Sequence, residues 1–66
     1  MPSPTLTAKQ EHATLLTAHR FGGSFMRPLA EAGIFADAEN RRKLLSAFPE
    51  IIWKYGPQSR FYSEDQ

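Results

Sequence analysis

Apolar and polar positions recur along this chain with the period of helices. From Thr7 to about Arg20, with successive residues placed about 100° apart, Ala8, His12, Leu15, Leu16 and His19 share one face. Lys9, Gln10, Glu11, Thr14 and Thr17 fall elsewhere, so the pattern predicts an amphipathic helix whose inward stripe holds both histidines. Thr7 with Gln10 fits a capping box at its start. Phe21-Gly22-Gly23-Ser24 breaks the pattern: the glycines end the first helix and Ser24 is positioned to cap a second. In that second helix Phe25, Met26, Leu29, Ala32 and Gly33 share a face, and Pro28 falls in the first turn, where a missing amide hydrogen costs least. Gly33 is expected to end the helix in the left-handed conformation, with Ile34 pressed back onto Leu29. Asp37 is a good N-cap for a third helix containing Asn40 to Phe48. Pro49 interrupts that helix, yet Leu44, Leu45, Phe48, Ile51, Ile52 and Tyr55 keep one stripe across it. The expectation is therefore a third helix kinked or split at Pro49 and ending at Gly56-Pro57.

No stretch alternates in the manner of a half-buried strand, and no internal repeat is present, so the fold class is all-α: a small three-helix domain. Residues 1–6 read as a flexible leader, because Pro2 and Pro4 lack amide donors and fix their own φ. Residues 7–57 form one helical domain and 58–66 a tail bearing Arg60, Phe61 and Tyr62. At 66 residues the core is small, and such cores rarely supply more than about 3–5 kcal/mol. Cysteine is absent, which excludes disulfides and thiolate metal sites and leaves oligomerisation or a partner as the route to extra burial. The formal net charge is only +1, so no strong field draws the chain to nucleic acid or an anionic membrane. No apolar run approaches the roughly 20 residues that span a bilayer, and MPSPTLTAKQ lacks the apolar region of a signal peptide. A cytoplasmic protein is the expectation.

All eight aromatic residues lie between Phe21 and Tyr62. That is more large apolar surface than a domain of this size buries easily, and the remainder is available to a partner. Trp53 falls nearly opposite the Leu44–Tyr55 stripe. Trp53, Arg60, Phe61 and Tyr62 form a candidate protein-binding patch, because Trp, Tyr and Arg dominate binding hot spots. Alternatively the tail folds back and Phe61 or Tyr62 stacks on Trp53 to complete a small core; a homodimer satisfies both readings. Arg41 and Arg42 are candidate rim charges, with Arg41 on the apolar stripe and Arg42 and Lys43 pointing away from it. This cluster sits early in its helix, at the unfavourable end of the macrodipole, where a phosphate or the carboxylate of Asp37, Glu39 or Glu50 compensates.

Other chemistry is sparse. The turn at Gly33 followed by a helix has the outline of a helix-turn-helix, but Glu39 stands where the recognition helix needs an apolar anchor. That helix also opens with Asp37-Ala38-Glu39, carboxylates directed at phosphates. His12 and His19 are separated by about 10.5 Å along a helix and cannot share one metal ion unaided. Gly22-Gly23-Ser24 lacks the lysine of a phosphate-binding loop and is read as a cap. Without a nucleophile–base set, an enzyme is not expected, nor a cofactor or metal.

The segments His19-Arg20-Phe21-Gly22-Gly23-Ser24-Phe25, Ala36-Asp37, Asn40-Arg41, Phe48-Pro49-Glu50 and Tyr55-Gly56-Pro57 together resemble small uncharacterised proteins of phages and prophages. The resemblance spans about residues 19–62 and brings no activity or site residue with it. It implies a compact accessory protein that binds and modulates a host or phage protein. The expected partner is thus another protein, in a homo-oligomer or hetero-complex. The alternative is a dimeric DNA-binding regulator presenting its third helix.

Overall fold

A computed structural model describes residues 6–64. The protein is all-α: α1 Ala8–Phe21, α2 Met26–Phe35, α3 Ala38–Ala47 and α4 Glu50–Tyr55, with no strand among the described residues. The expected third helix is two separate helices. Phe48, restricted by the proline after it, leaves the helical region at φ −127°, ψ 68°, and Pro49 (φ −63°) starts α4.

The two caps read from the sequence are present. The Gln10 amide donates to Thr7 Oγ1 at 3.1 Å while the Thr7 amide donates to Gln10 Oε1 at 2.9 Å, completing the box at α1. At α3 the Asn40 amide donates to Asp37 Oδ1 at 2.8 Å. Gly22 ends α1 as expected, as its C-cap in an extended conformation, but the caps assigned to Ser24 and Gly33 differ. Ser24 does not cap α2, whose N-cap is Phe25 with no side-chain hydrogen bond. Gly33 does not end α2, which continues to Phe35, and no described residue has a positive φ. Its missing side chain serves packing instead: a Cβ at Gly33 would lie 2.9 Å from both δ-methyls of Leu15, so glycine lets α2 settle directly on α1. Gly22 is likewise a close approach, since a Cβ there would sit 2.6 Å from Met26 Cβ. Ile34, inside α2, still packs against the core.

The core joins Leu15 and Ala18 of α1, Ala30 of α2, Leu45 of α3 and Ile51 and Ile52 of α4. It shows that the inward face of α1 was misplaced by roughly 90° in the pattern. Ala8 and His12 are exposed, Leu16 and His19 are half-buried, and the buried positions are Glu11, Ala13, Thr14, Leu15, Thr17 and Ala18. Glu11, Thr14, Leu15 and Ala18 have the i, i+3, i+4, i+7 spacing of a helix face. The polar members are tolerated because each is satisfied. Thr14 Oγ1 donates to the Gln10 carbonyl and Thr17 Oγ1 to the Ala13 carbonyl, both at 2.7 Å. Glu11 accepts from Arg41 Nε at 2.9 Å, with Arg42 Nε at 3.7 Å from its other oxygen.

After α4 the chain makes hydrogen-bonded turns: the Ser59 amide donates to the Gly56 carbonyl at 2.8 Å and the Tyr62 amide to the Ser59 carbonyl at 3.3 Å. This returns the tail to α1, where Glu64 lies 3.8 Å from Lys9 Nζ.

Breaking a buried ion pair on one side strands a charge, whereas removing both partners does not. Glu11→Ala is therefore expected to cost about 3–5 kcal/mol, enough to unfold most of the protein. The double variant Glu11→Leu/Arg41→Met should recover stability to within about 2 kcal/mol of the parent. Urea unfolding followed by circular dichroism measures both; a cost below about 1 kcal/mol for Glu11→Ala would mean the pair behaves as an ordinary surface contact.

Candidate functional site

The buried hydrophobic residues are Ala13, Leu15, Ala18, Ala30, Leu45, Ile51 and Ile52, so none of the eight aromatic residues is buried. Phe48, Tyr55 and Tyr62 are half-buried. The other five are exposed, from Phe61 at 44% to Phe35 at 82%. Isolated apolar side chains on a surface are ordinary, so grouping decides which of them matter. Two groups form. The Phe61 ring lies 5.0 Å from that of Phe21 and 6.1 Å from that of Tyr55, joining the ends of α1 and α4 through the tail. Phe25 at the start of α2 meets Phe48 edge-on at 6.2 Å. These separations suit favourable ring pairs.

The residues singled out from the sequence are divided by this arrangement. Trp53 is 56% exposed on α4 and lines a shallow hollow of about 100 Å³ with Ile52, Pro57 and Gln58. Neither Phe61 nor Tyr62 stacks on it: Phe61 is taken by Phe21 and Tyr55. The patch Trp53–Arg60–Phe61–Tyr62 is thus not held together by ring contacts, because the turns after Gly56 carry the tail toward α1. Arg60 is exposed beside Phe61, whose amide donates to Ser59 Oγ at 3.0 Å. Tyr62 is half-buried, with a hydroxyl closed off from solvent and no hydrogen bond of good geometry among the described residues. Burial first, and the nearby Glu64 carboxylate second, push this phenol up to about 12.

Arg41 is not a rim charge. Its side chain is only 14% exposed and is committed to Glu11. Arg42 is mostly exposed and also faces Glu11, and Lys43 Nζ is 3.9 Å from Glu39 Oε1. The histidines do not converge: His12 is exposed, and His19 Nε2 lies 3.4 Å from Glu31 Oε2, tying α1 to α2. Among the described residues no group of three His, Cys, Asp or Glu side chains is placed to hold a metal ion. No helix of the described residues is long and apolar enough to cross a membrane.

Sequence reasoning missed Phe21, Tyr55 and Arg20. The expected stripe across Pro49 holds, with Leu45, Ile51 and Ile52 buried and Leu44, Phe48 and Tyr55 packed against them, so Tyr55 reaches Phe61 from the edge of the core. Phe21 is the last residue of α1 rather than part of the turn. The contact between Phe21 and Phe61 spans 40 positions, and only the turn signal at Gly56-Pro57 hints that the tail reverses. The Arg20 guanidinium lies 5.5 Å from the centre of the Phe21 ring, a cation–π distance.

Two outcomes are expected. Trp53→Ala should change unfolding stability by less than about 1 kcal/mol, with unchanged helicity by circular dichroism; unfolding of the variant would make Trp53 a core residue. For Tyr62 the folded pKa lies above the ordinary value of about 10, so its neutral form favours folding and that contribution fades as pH rises from about 10 to about 12. Tyr62→Phe should remove this fraction of the alkaline loss in paired pH titrations of stability, and should cost no more than about 1 kcal/mol at pH 7, the worth of one ordinary hydrogen bond. Identical alkaline profiles for parent and variant would contradict the assignment. Comparison of the chain with protein-family models, with curated proteins and with solved structures finds no match, so the role of this surface is argued from its residues.

Proposed function

We propose that this chain is a small non-enzymatic interaction module that binds another protein and modulates it, an accessory protein of the kind phages and prophages carry. One observation carries the reading: the buried core is alanine, leucine and isoleucine, with Phe48 and Tyr55 only packed against it and five aromatic rings exposed. Rings supply large contact area for little entropy loss; Phe21, Phe25 and Phe61 make ring contacts within the monomer yet stay exposed, while Trp53 and Phe35 are exposed at 56% and 82%. The exposed rings belong to α1, α2 and α4, which the core fixes, and to the tail, which its turns and the contacts of Phe61 with Phe21 and Tyr55 hold in place, so the surface is preorganised for a partner.

The alternative, a dimeric DNA-binding regulator that presents α3, has weaker support. Arg41, Arg42 and Lys43 each face a carboxylate, and Arg41 is largely buried. Freeing Arg41 for a phosphate would strand Glu11. The DNA reading predicts an affinity that falls steeply with salt, and a flat salt response removes it.

Affinity capture with the tagged protein, run with and without nuclease, tests the proposal. A stoichiometric protein retained after nuclease treatment is the expected result, and Phe61→Ala should weaken its retention by at least about fivefold without loss of helicity. Recovery that collapses with nuclease would replace this reading with the nucleic-acid one.

A further inference from the structure

The surface cations of this protein are unevenly satisfied. Lys9 faces Glu64, Arg41 and Arg42 face Glu11, and Lys43 faces Glu39. Among the described residues Arg20, Arg27, Lys54 and Arg60 have no carboxylate within 4.0 Å. Two of these neighbour the Phe21–Tyr55–Phe61 group, Arg20 by contact and Arg60 by sequence. Arg20 lies over the Phe21 ring, and Arg60 immediately precedes Phe61. Arg20 stands in the last turn of α1, where a positive charge complements the helix macrodipole. That accounts for the charge without giving its guanidinium a carboxylate among the described residues, and Arg60 lies outside the described helices. A guanidinium beside a ring face can still receive a carboxylate with two parallel hydrogen bonds.

We propose that Phe21, Tyr55 and Phe61, flanked by Arg20 and Arg60, dock an acidic, apolar segment of a partner protein. The rings take its leucine or aromatic side chains and the two guanidiniums take its carboxylates. This inference rests on the interaction reading above and names the site and the chemistry of the partner. Charge complementarity selects the occupant. A nucleic acid strand can also stack on rings, but its affinity grows with the number of phosphates neutralised, and this surface offers Arg20 and Arg60, without a carboxylate among the described residues, on a chain of net charge +1.

The test is a titration of isotopically labelled full-length protein, followed by NMR, with three synthetic peptides sharing leucine and phenylalanine positions. Their intervening residues are glutamate and aspartate in the first, glutamine and asparagine in the second, and lysine in the third. An oligothymidylate is the fourth probe. The acidic peptide is expected to bind at least tenfold more tightly than the neutral one and to shift the signals of Phe21, Tyr55, Phe61, Arg20 and Arg60. The variant Arg20→Glu/Arg60→Glu, with helicity checked, should lose that preference, and Arg20→Lys/Arg60→Lys should retain part of it. Equal binding of the neutral or basic peptide, or shifts centred on Trp53 or Phe35, overturns this inference and leaves the interaction reading standing. No peptide binding up to about 1 mM likewise overturns it alone, since the capture experiment decides the broader reading. Oligothymidylate binding at this surface in preference to every peptide overturns both.

Discussion

The close approach of α1 and α2 is the constraint from which the rest of the structure follows. Gly33 presents bare backbone to Leu15, and Ala18 and Ala30 are fully buried in the same core. Leu15, Leu45, Ile51 and Ile52 fill what space remains. In a dense interior even one extra methylene is felt; Phe48 and Tyr55 reach only the edge of this core and five other rings are exposed. The surface rings are the counterpart of the tight helix pair. They come from the ends of α1 and α4, the start and end of α2, and the tail.

The same face of α1 sets the fate of the basic cluster. Glu11 is buried where α1 meets α3 and needs a cation at that place, which Arg41 provides. A pair of this kind adds little net stability against an apolar replacement, but it penalises any docking of α3 that separates the two residues. It also withdraws Arg41 from surface chemistry and draws Arg42 toward the same carboxylate. The cations left without carboxylates among the described residues are thus those of α1's end, α2, α4 and the tail, and two of them accompany exposed rings.

Much of the local structure was legible in the sequence. The Thr7–Gln10 box, the Asp37 cap and the interruption at Pro49 are short-range rules, and all three operate as read. The all-α class follows from them. The errors share a cause: they concern residues whose behaviour is set by distant partners or by the backbone. Thr14 and Thr17 count as polar in a periodicity plot, yet their hydroxyls are satisfied one turn back and their methyl groups can be buried. Glu11 has its partner 30 positions away. Those three residues rotated the inferred face and placed both histidines inside. Gly33 has the composition of a helix terminator but acts as a packing site, a difference visible only once α1 is beside it. The excess of rings was legible, whereas their grouping depends on where the tail turns.

The most direct measurement is the relaxation of side-chain signals by a soluble paramagnetic agent, which reports the solvent accessibility of each group in the folded protein. Strong broadening of the ring protons of Phe21, Phe25, Phe35, Trp53 and Phe61, with the methyls of Leu15 and Ile51 protected, is the predicted result. Protected rings together with broadened Leu15 or Ile51 methyls would contradict an aliphatic core with its aromatics outside, and with it the binding surface built on them.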